Sequence, residues 1–141
     1  MVTYNVPYRT GRGLSAASLL DLAATDNVAG VKQAVDGIDA DILTVLTRAP
    51  EGFALLGGDD PYLFPLTLMG APGAIAASAN LCTQRFVTMI EHGLAGEVAA
   101  GRAHAEALLH AEGRIPTLDV RMPLSNASAA AVEHALAVRP V

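Results

Sequence analysis

Lysine is nearly missing from this chain. Its nine basic residues are one lysine, Lys32, and eight arginines, set against 14 acidic residues for a net charge of −5. The arginines are scattered and form no basic stripe to neutralise phosphates, which argues against nucleic acid as a partner. Cysteine is reduced to Cys82 alone. That excludes an intramolecular disulfide framework and fits a reducing compartment. Tryptophan is absent and aromatics make up only 4%, so the core must be built from Ala, Val, Leu and Ile. No apolar run reaches the ~18 residues of a membrane span. The opening "MVTYNVPYRTG" lacks the apolar stretch of a signal peptide. A cytoplasmic protein with no membrane partner is the expectation. Disordered and low-complexity tracts are missing too.

What is present is an alternation of short β-branched runs with longer helical ones. "MVTY" (1–4) reads as a strand, and Ser15 as the cap of a helical "AASLLDLAA". "VAGVK" (28–32) is strand-like and closes on the Asp36-Gly37 turn signal. "DADILTVLTRA" (39–49) shows Ile42, Val45 and Leu46 on one helical face, and "GFALLGG" (52–58) is a third strand. "DDPYLFPLTLMG" carries a helix with proline in its early turns. "GAIAASAN" (73–80) reads as a fourth strand, followed by helices over 81–94, 97–111 and 127–138. Strands beginning near 1, 28, 53 and 73, each followed by a helix, indicate parallel βα units. The fold class is α/β. Four such units suit an open doubly wound sheet or half of a (β/α)8 barrel, a fold that takes about 250 residues when whole. Residues 1–94 form the βα units and 95–141 a C-terminal helical segment on this reading.

In both folds ligands gather at the carboxyl ends of the strands. Tyr4, Lys32, the Gly57-Gly58-Asp59-Asp60 run and Ser78-Ala79-Asn80 fall at or just beyond such ends. A lysine closing an apolar strand has two readings. It snorkels to solvent, or it is desolvated, which frees an amine to attack a carbonyl and form a Schiff base. Tyr4, one βα unit upstream, is either a core tyrosine or a proton relay at the same mouth. Arg9, in the loop "VPYRTG", is an ordinary exposed arginine or a planar fork for a substrate carboxylate. Asp59-Asp60 fits helix capping better than a metal, since no histidine is near in sequence. His104 and His110 are six apart, not the i,i+4 spacing of a two-histidine metal face, and His92, His104, His110 and His134 read as surface or boundary residues. The sequon at 126–128 means little without a secretion signal. No metal or cofactor is expected.

Taken jointly, "YNVPYRTG" (4–11), "VAGVKQA" (28–34), "LLGGDD" (55–60) and "GAIAASAN" (73–80) resemble, in order and spacing, the second half of the dihydrodipicolinate synthase family. "VRMPLS" (120–125) continues the likeness more weakly. This family belongs to the pyruvate-dependent class I aldolases, built on a (β/α)8 barrel. The resemblance implies that Lys32 condenses with pyruvate, that Tyr4 shuttles protons, and that Arg9 holds the carboxylate of aspartate semialdehyde. Gly58 and Ile75 match backbone positions lining the pyruvate pocket. Gln33 stands where many members carry an acidic residue. The resemblance further implies a lyase of lysine biosynthesis acting on pyruvate and a small aldehyde acid. Another pyruvate-dependent sugar-acid aldolase and a non-catalytic half-barrel are the alternatives. The family's first four strands, its "GTTGE"-type loop and its "EPNP" segment have no counterpart here. A chain so cut is expected to leave sheet edges open and to associate as a homo-oligomer or with a partner half-barrel.

Overall fold

A computed structural model describes residues 1–114. The expected helix at 127–138, the "VRMPLS" segment, His134 and the sequon lie outside the described residues. The chain divides into two compact units, Met1–Ile75 and a second beginning at Ala76.

In the first unit, strands β1 (Val2–Asn5), β2 (Gly30–Gln33), β3 (Ala54–Gly57) and β4 (Gly73–Ala74) form one sheet in the order β1-β2-β3-β4. All its pairings are parallel. Between them lie α1 (Pro7–Thr10), α2 (Ala16–Ala23), α3 (Ala40–Arg48), a 3₁₀ turn (Asp60–Tyr62) and α4 (Leu63–Leu68). Side chains alternate across a strand, and here the alternation sorts core from site. Val31 and Leu55 are buried against Leu19 of α2, Ile42 and Val45 of α3, and Leu66 of α4. Each such side chain withdrawn from water contributes about 1.5–3 kcal/mol, so this aliphatic cluster supplies what the scarce aromatics do not. The intervening residues Tyr4, Lys32, Leu56 and Gly73 stand in register across the opposite side.

Caps set the helix starts. The Ser15 hydroxyl accepts the Ser18 N–H at 3.3 Å, and the Asp39 carboxylate accepts that of Ile42 at 2.8 Å. Such caps are typically worth ~1 kcal/mol each. Two elements differ from expectation. The fourth strand spans only Gly73–Ala74, and Ser78–Asn80 form a 3₁₀ turn. The small residues of "GAIAASAN" offer little side-chain packing to hold an edge strand. Arg9 is not in a loop but in α1, a single helical turn with Pro7 at its first position. Gly11, at φ 74°, ends that turn in the left-handed conformation glycine adopts freely.

The second unit holds a 3₁₀ turn at Ser78–Asn80, α5 (Thr83–Leu94) and α6 (Val98–Arg114), the two helices packing together. Phe86 and Met89 of α5 and Leu108 of α6 are buried. His92 stacks on His104 with ring centroids 5.6 Å apart, and its Nδ1 lies 2.5 Å from a Glu97 carboxylate oxygen. Burial, then the Arg85 and His92 charges, hold the His104 imidazole below its usual 6.5. A histidine depressed in the folded state binds fewer protons than the unfolded chain does. The stability it contributes is whole above about 6.5 and drains away as pH falls toward the lowered value. Chemical denaturation at pH 7.5 and at pH 5.5 should therefore show a lower midpoint in acid. His104→Gln should flatten that slope, and an unchanged slope would refute the assignment.

Candidate active site

The site is built at the carboxyl ends of β1, β2 and β3. In register, Lys32 has Tyr4 on one side and Leu56 on the other. The Lys32 ammonium lies 4.2 Å from the centroid of the Tyr4 ring. A cation over an aromatic face is attracted by the ring quadrupole, worth about 0.5–2 kcal/mol depending on desolvation. Lys32 is half-buried, whereas Tyr4 keeps 47% of its surface exposed. The sole amine-bearing side chain is thus held at the strand end, over a ring on the neighbouring strand.

Gly58 forms the floor beneath it. A Cβ placed there would come within 2.8 Å of the Gln33 carbonyl oxygen, 2.9 Å of Lys32 Cε and 3.0 Å of Ala34 Cβ. The stem of Lys32 occupies the space that any other residue at 58 would fill. Ile75 continues the β4 edge, its N–H donating to the Gly57 carbonyl at 2.8 Å, with the side chain 44% exposed. Tyr4, Lys32 and Gly58 are therefore gathered, and Ile75 is tied by its backbone to the residue before Gly58.

Arg9 is not drawn in. Its guanidinium lies over the Tyr8 ring, 5.4 Å from the centroid, and among the described residues no hydrogen bond or ion pair joins it to Tyr4 or Lys32. Its helical turn is nonetheless anchored close to the β1 end. The Asn5 side chain accepts the Leu14 N–H at 3.0 Å and donates to the Leu14 carbonyl at 3.4 Å. This bracket fixes both ends of the segment that carries Arg9. It is not legible from residue type, because an amide in a strand reads as merely polar. Gln33 faces the helices, buried, and its side-chain oxygen has no hydrogen-bond partner among the described residues.

Asp59 differs from its capping expectation. It precedes the 3₁₀ turn but makes no side-chain cap. Its carboxylate instead accepts the Asp36 N–H at 2.8 Å. Among the described residues there is no metal-binding cluster of His, Cys, Asp or Glu, and no helix is long and apolar enough to cross a membrane. A cavity of about 460 Å³ lies at the other end of the strands, lined by Ala29, Pro50, Glu51 and Phe53 among others. In βα folds that end serves stability rather than chemistry.

Fold and site together define a class: a run of barrel-type βα units with a lysine at a strand end, facing the mouth. Comparison with known proteins narrows it. The model of the Dihydrodipicolinate synthetase family matches residues 1–127, and the chain belongs to that family. The 4-hydroxy-tetrahydrodipicolinate synthase of Neisseria gonorrhoeae is 39% identical over 102 residues, 72% of this chain and 35% of that protein. 4-hydroxy-tetrahydrodipicolinate synthase 2 of Clostridium acetobutylicum is 37% identical over 87 residues, 62% of this chain and 30% of that protein. The dihydrodipicolinate synthase structure from Thermotoga maritima superposes with a TM-score of 0.76 at 22% identity, covering 97% of this chain and 55% of that one. YagE from E. coli K12, a family member solved in complex with pyruvate, has a TM-score of 0.74 at 27% identity, covering 97% and 45%. The chain spans about a third of the length of the curated relatives it matches. Its fold is α/β, half of a (β/α)8 barrel, as the resemblance implied.

Proposed function

We propose that this chain carries the Schiff-base half of a pyruvate-dependent lyase of the 4-hydroxy-tetrahydrodipicolinate synthase type. The observation that carries the reading is the pairing of Lys32 and Tyr4, with the amine 4.2 Å from the ring centroid on adjacent strand ends. The Lys32 ammonium gives up a proton, its amine attacks the keto carbon of pyruvate, and loss of water gives the imine. A methyl proton then leaves, and the resulting enamine carbon bonds to the aldehyde carbon of the second substrate. Tyr4 is the proton relay in these transfers. Gly58 and Ile75 offer backbone groups to pyruvate, and Arg9 holds the carboxylate of aspartate semialdehyde through its planar fork. Because Arg9 is exposed and lies over Tyr8 rather than against Lys32, it suits the second substrate rather than the first. On this reading residues 1–94 supply barrel units.

The test is borohydride reduction of the chain with pyruvate, followed by peptide mass spectrometry. A reduced pyruvate adduct on Lys32 is expected, and its absence from the folded chain defeats the reading. Arg9→Ala should leave that adduct intact while lowering turnover with aspartate semialdehyde. An equal loss with an uncharged aldehyde would favour a sugar-acid aldolase instead.

The exposed flanks of the sheet favour a second, compatible reading, association. β1 and β4 each pair on one side only within the four-stranded sheet, and Val2 and Tyr4 of β1 are half-exposed. Such edges are sites for pairing with another chain. A second copy, or a polypeptide bearing complementary βα units, is the partner they suit.

A further inference from the structure

The hydrogen bond from Asp36 to Asp59 has a place in this site that helix capping does not explain. It crosses between the segment after β2 and the segment after β3, joining residues 23 apart in sequence. Asp36 sits in the left-handed region at φ 60°, a conformation asparagine and aspartate tolerate better than most residues. There its N–H is the donor to the Asp59 carboxylate. Directly before Asp59 lies Gly58, whose backbone fits against Lys32 Cε and the Gln33 carbonyl so closely that a Cβ would stand 2.9 and 2.8 Å from them. The lysine stem therefore rests on one of two segments, and the Asp59 carboxylate binds those segments together.

We infer that Asp59 is a positioning residue for the Lys32 amine, acting as a latch that keeps the Gly58 floor pressed against the lysine stem. The inference rests on the reading of Lys32 as the Schiff-base residue. Asp59 touches no reacting atom in this account. Its effect passes through the backbone of Gly58 and reaches the amine as orientation, where small displacements carry large rate penalties.

The experiment uses the full chain, pyruvate and borohydride, and compares Asp59→Ala with Asp59→Asn after thermal melts confirm folding. The amide of asparagine keeps an oxygen that accepts the Asp36 N–H, whereas alanine keeps none. At saturating pyruvate the trapping rate should fall about tenfold in Asp59→Ala, with half-saturation nearly unchanged, and stay within about threefold in Asp59→Asn. Rescue by the isosteric amide separates positioning from a charge effect. An undiminished rate in Asp59→Ala, or an equal fall in both variants, overturns the latch. If Asp59→Ala does not fold, Asp59→Glu, whose longer stem displaces the acceptor, takes its place with the same criteria. If the unsubstituted chain traps no pyruvate, the Schiff-base reading fails separately. The latch is then judged by reductive methylation of Lys32 with formaldehyde, mapped apart from the terminal amine. A severalfold change in Asp59→Ala that Asp59→Asn does not share upholds it, and equal rates overturn it.

Discussion

Lys32→Arg should abolish the borohydride-stable pyruvate adduct, lowering trapping by at least about a thousandfold. The substitution is chosen to preserve what is not nucleophilic. A guanidinium keeps the positive charge and can still lie over the Tyr4 ring, since arginine makes the same kind of cation–π contact. It cannot shed its proton at any pH the fold endures, so it cannot add to a carbonyl. If the pairing with Tyr4 were the whole purpose of Lys32, Lys32→Arg would behave like the parent chain. The chain holds no other lysine, so residual adduct has only the terminal amine to occupy, and peptide mapping tells the two apart. A persistent adduct within the site would sink the assignment.

Gly58→Ala should be the most damaging small substitution in the site. The added methyl meets the Gln33 carbonyl oxygen at 2.8 Å and Ala34 Cβ at 3.0 Å. One is backbone and the other a methyl fixed to it, so neither can swing aside. The lysine stem at 2.9 Å is the only flexible neighbour, and moving it displaces the amine. Overpacking of this kind costs about 1–3 kcal/mol, and the misplaced amine should lose about a hundredfold in trapping rate. Gly57→Ala is the control. Its Cβ meets the Leu63 side-chain tip at 2.6 Å and that of Leu66 at 3.5 Å, on the helix side of the sheet. Leucine tips can repack, so stability should fall with the trapping rate nearly intact. Urea melts and trapping rates on both variants give the comparison, and a wild-type rate in Gly58→Ala would show that the floor is not needed.

Much of this architecture was legible because its signals are local. Ser15 and Asp39 announce helix starts through side-chain oxygens that bond within three residues. The spacing of "MVTY", "VAGVK" and "GFALLGG" brought Tyr4 and Lys32 to one end of neighbouring strands, since parallel βα units leave few alternatives. The position of Lys32 over the Tyr4 ring was not legible, because spacing sets which end of a strand a residue occupies and not where a flexible stem comes to rest. Asp59 departs from its capping expectation for a related reason. An acidic pair ahead of a proline looks like a cap, and only the packing of two loops supplies a distant N–H as a better partner for Asp59. The helical turn that carries Arg9 has local signals of its own. Proline at the start and glycine just past the end of a single turn are helix punctuation, and both were present in "VPYRTG".

The strand order carries a consequence for how the chain reaches this state. Each strand pairs only with the strand next to it in sequence, so no pairing waits for a remote segment to arrive. Closing a short loop costs less entropy than closing a long one, and local contacts speed folding. The sheet can therefore grow stepwise from any adjoining pair of βα units, with each new strand adding to a ladder already formed. Joining the first strand of a complete eight-stranded ring to its last is a long-range step of another kind. The Lys32 and Tyr4 pair needs only one of these short steps, the pairing of β1 with β2.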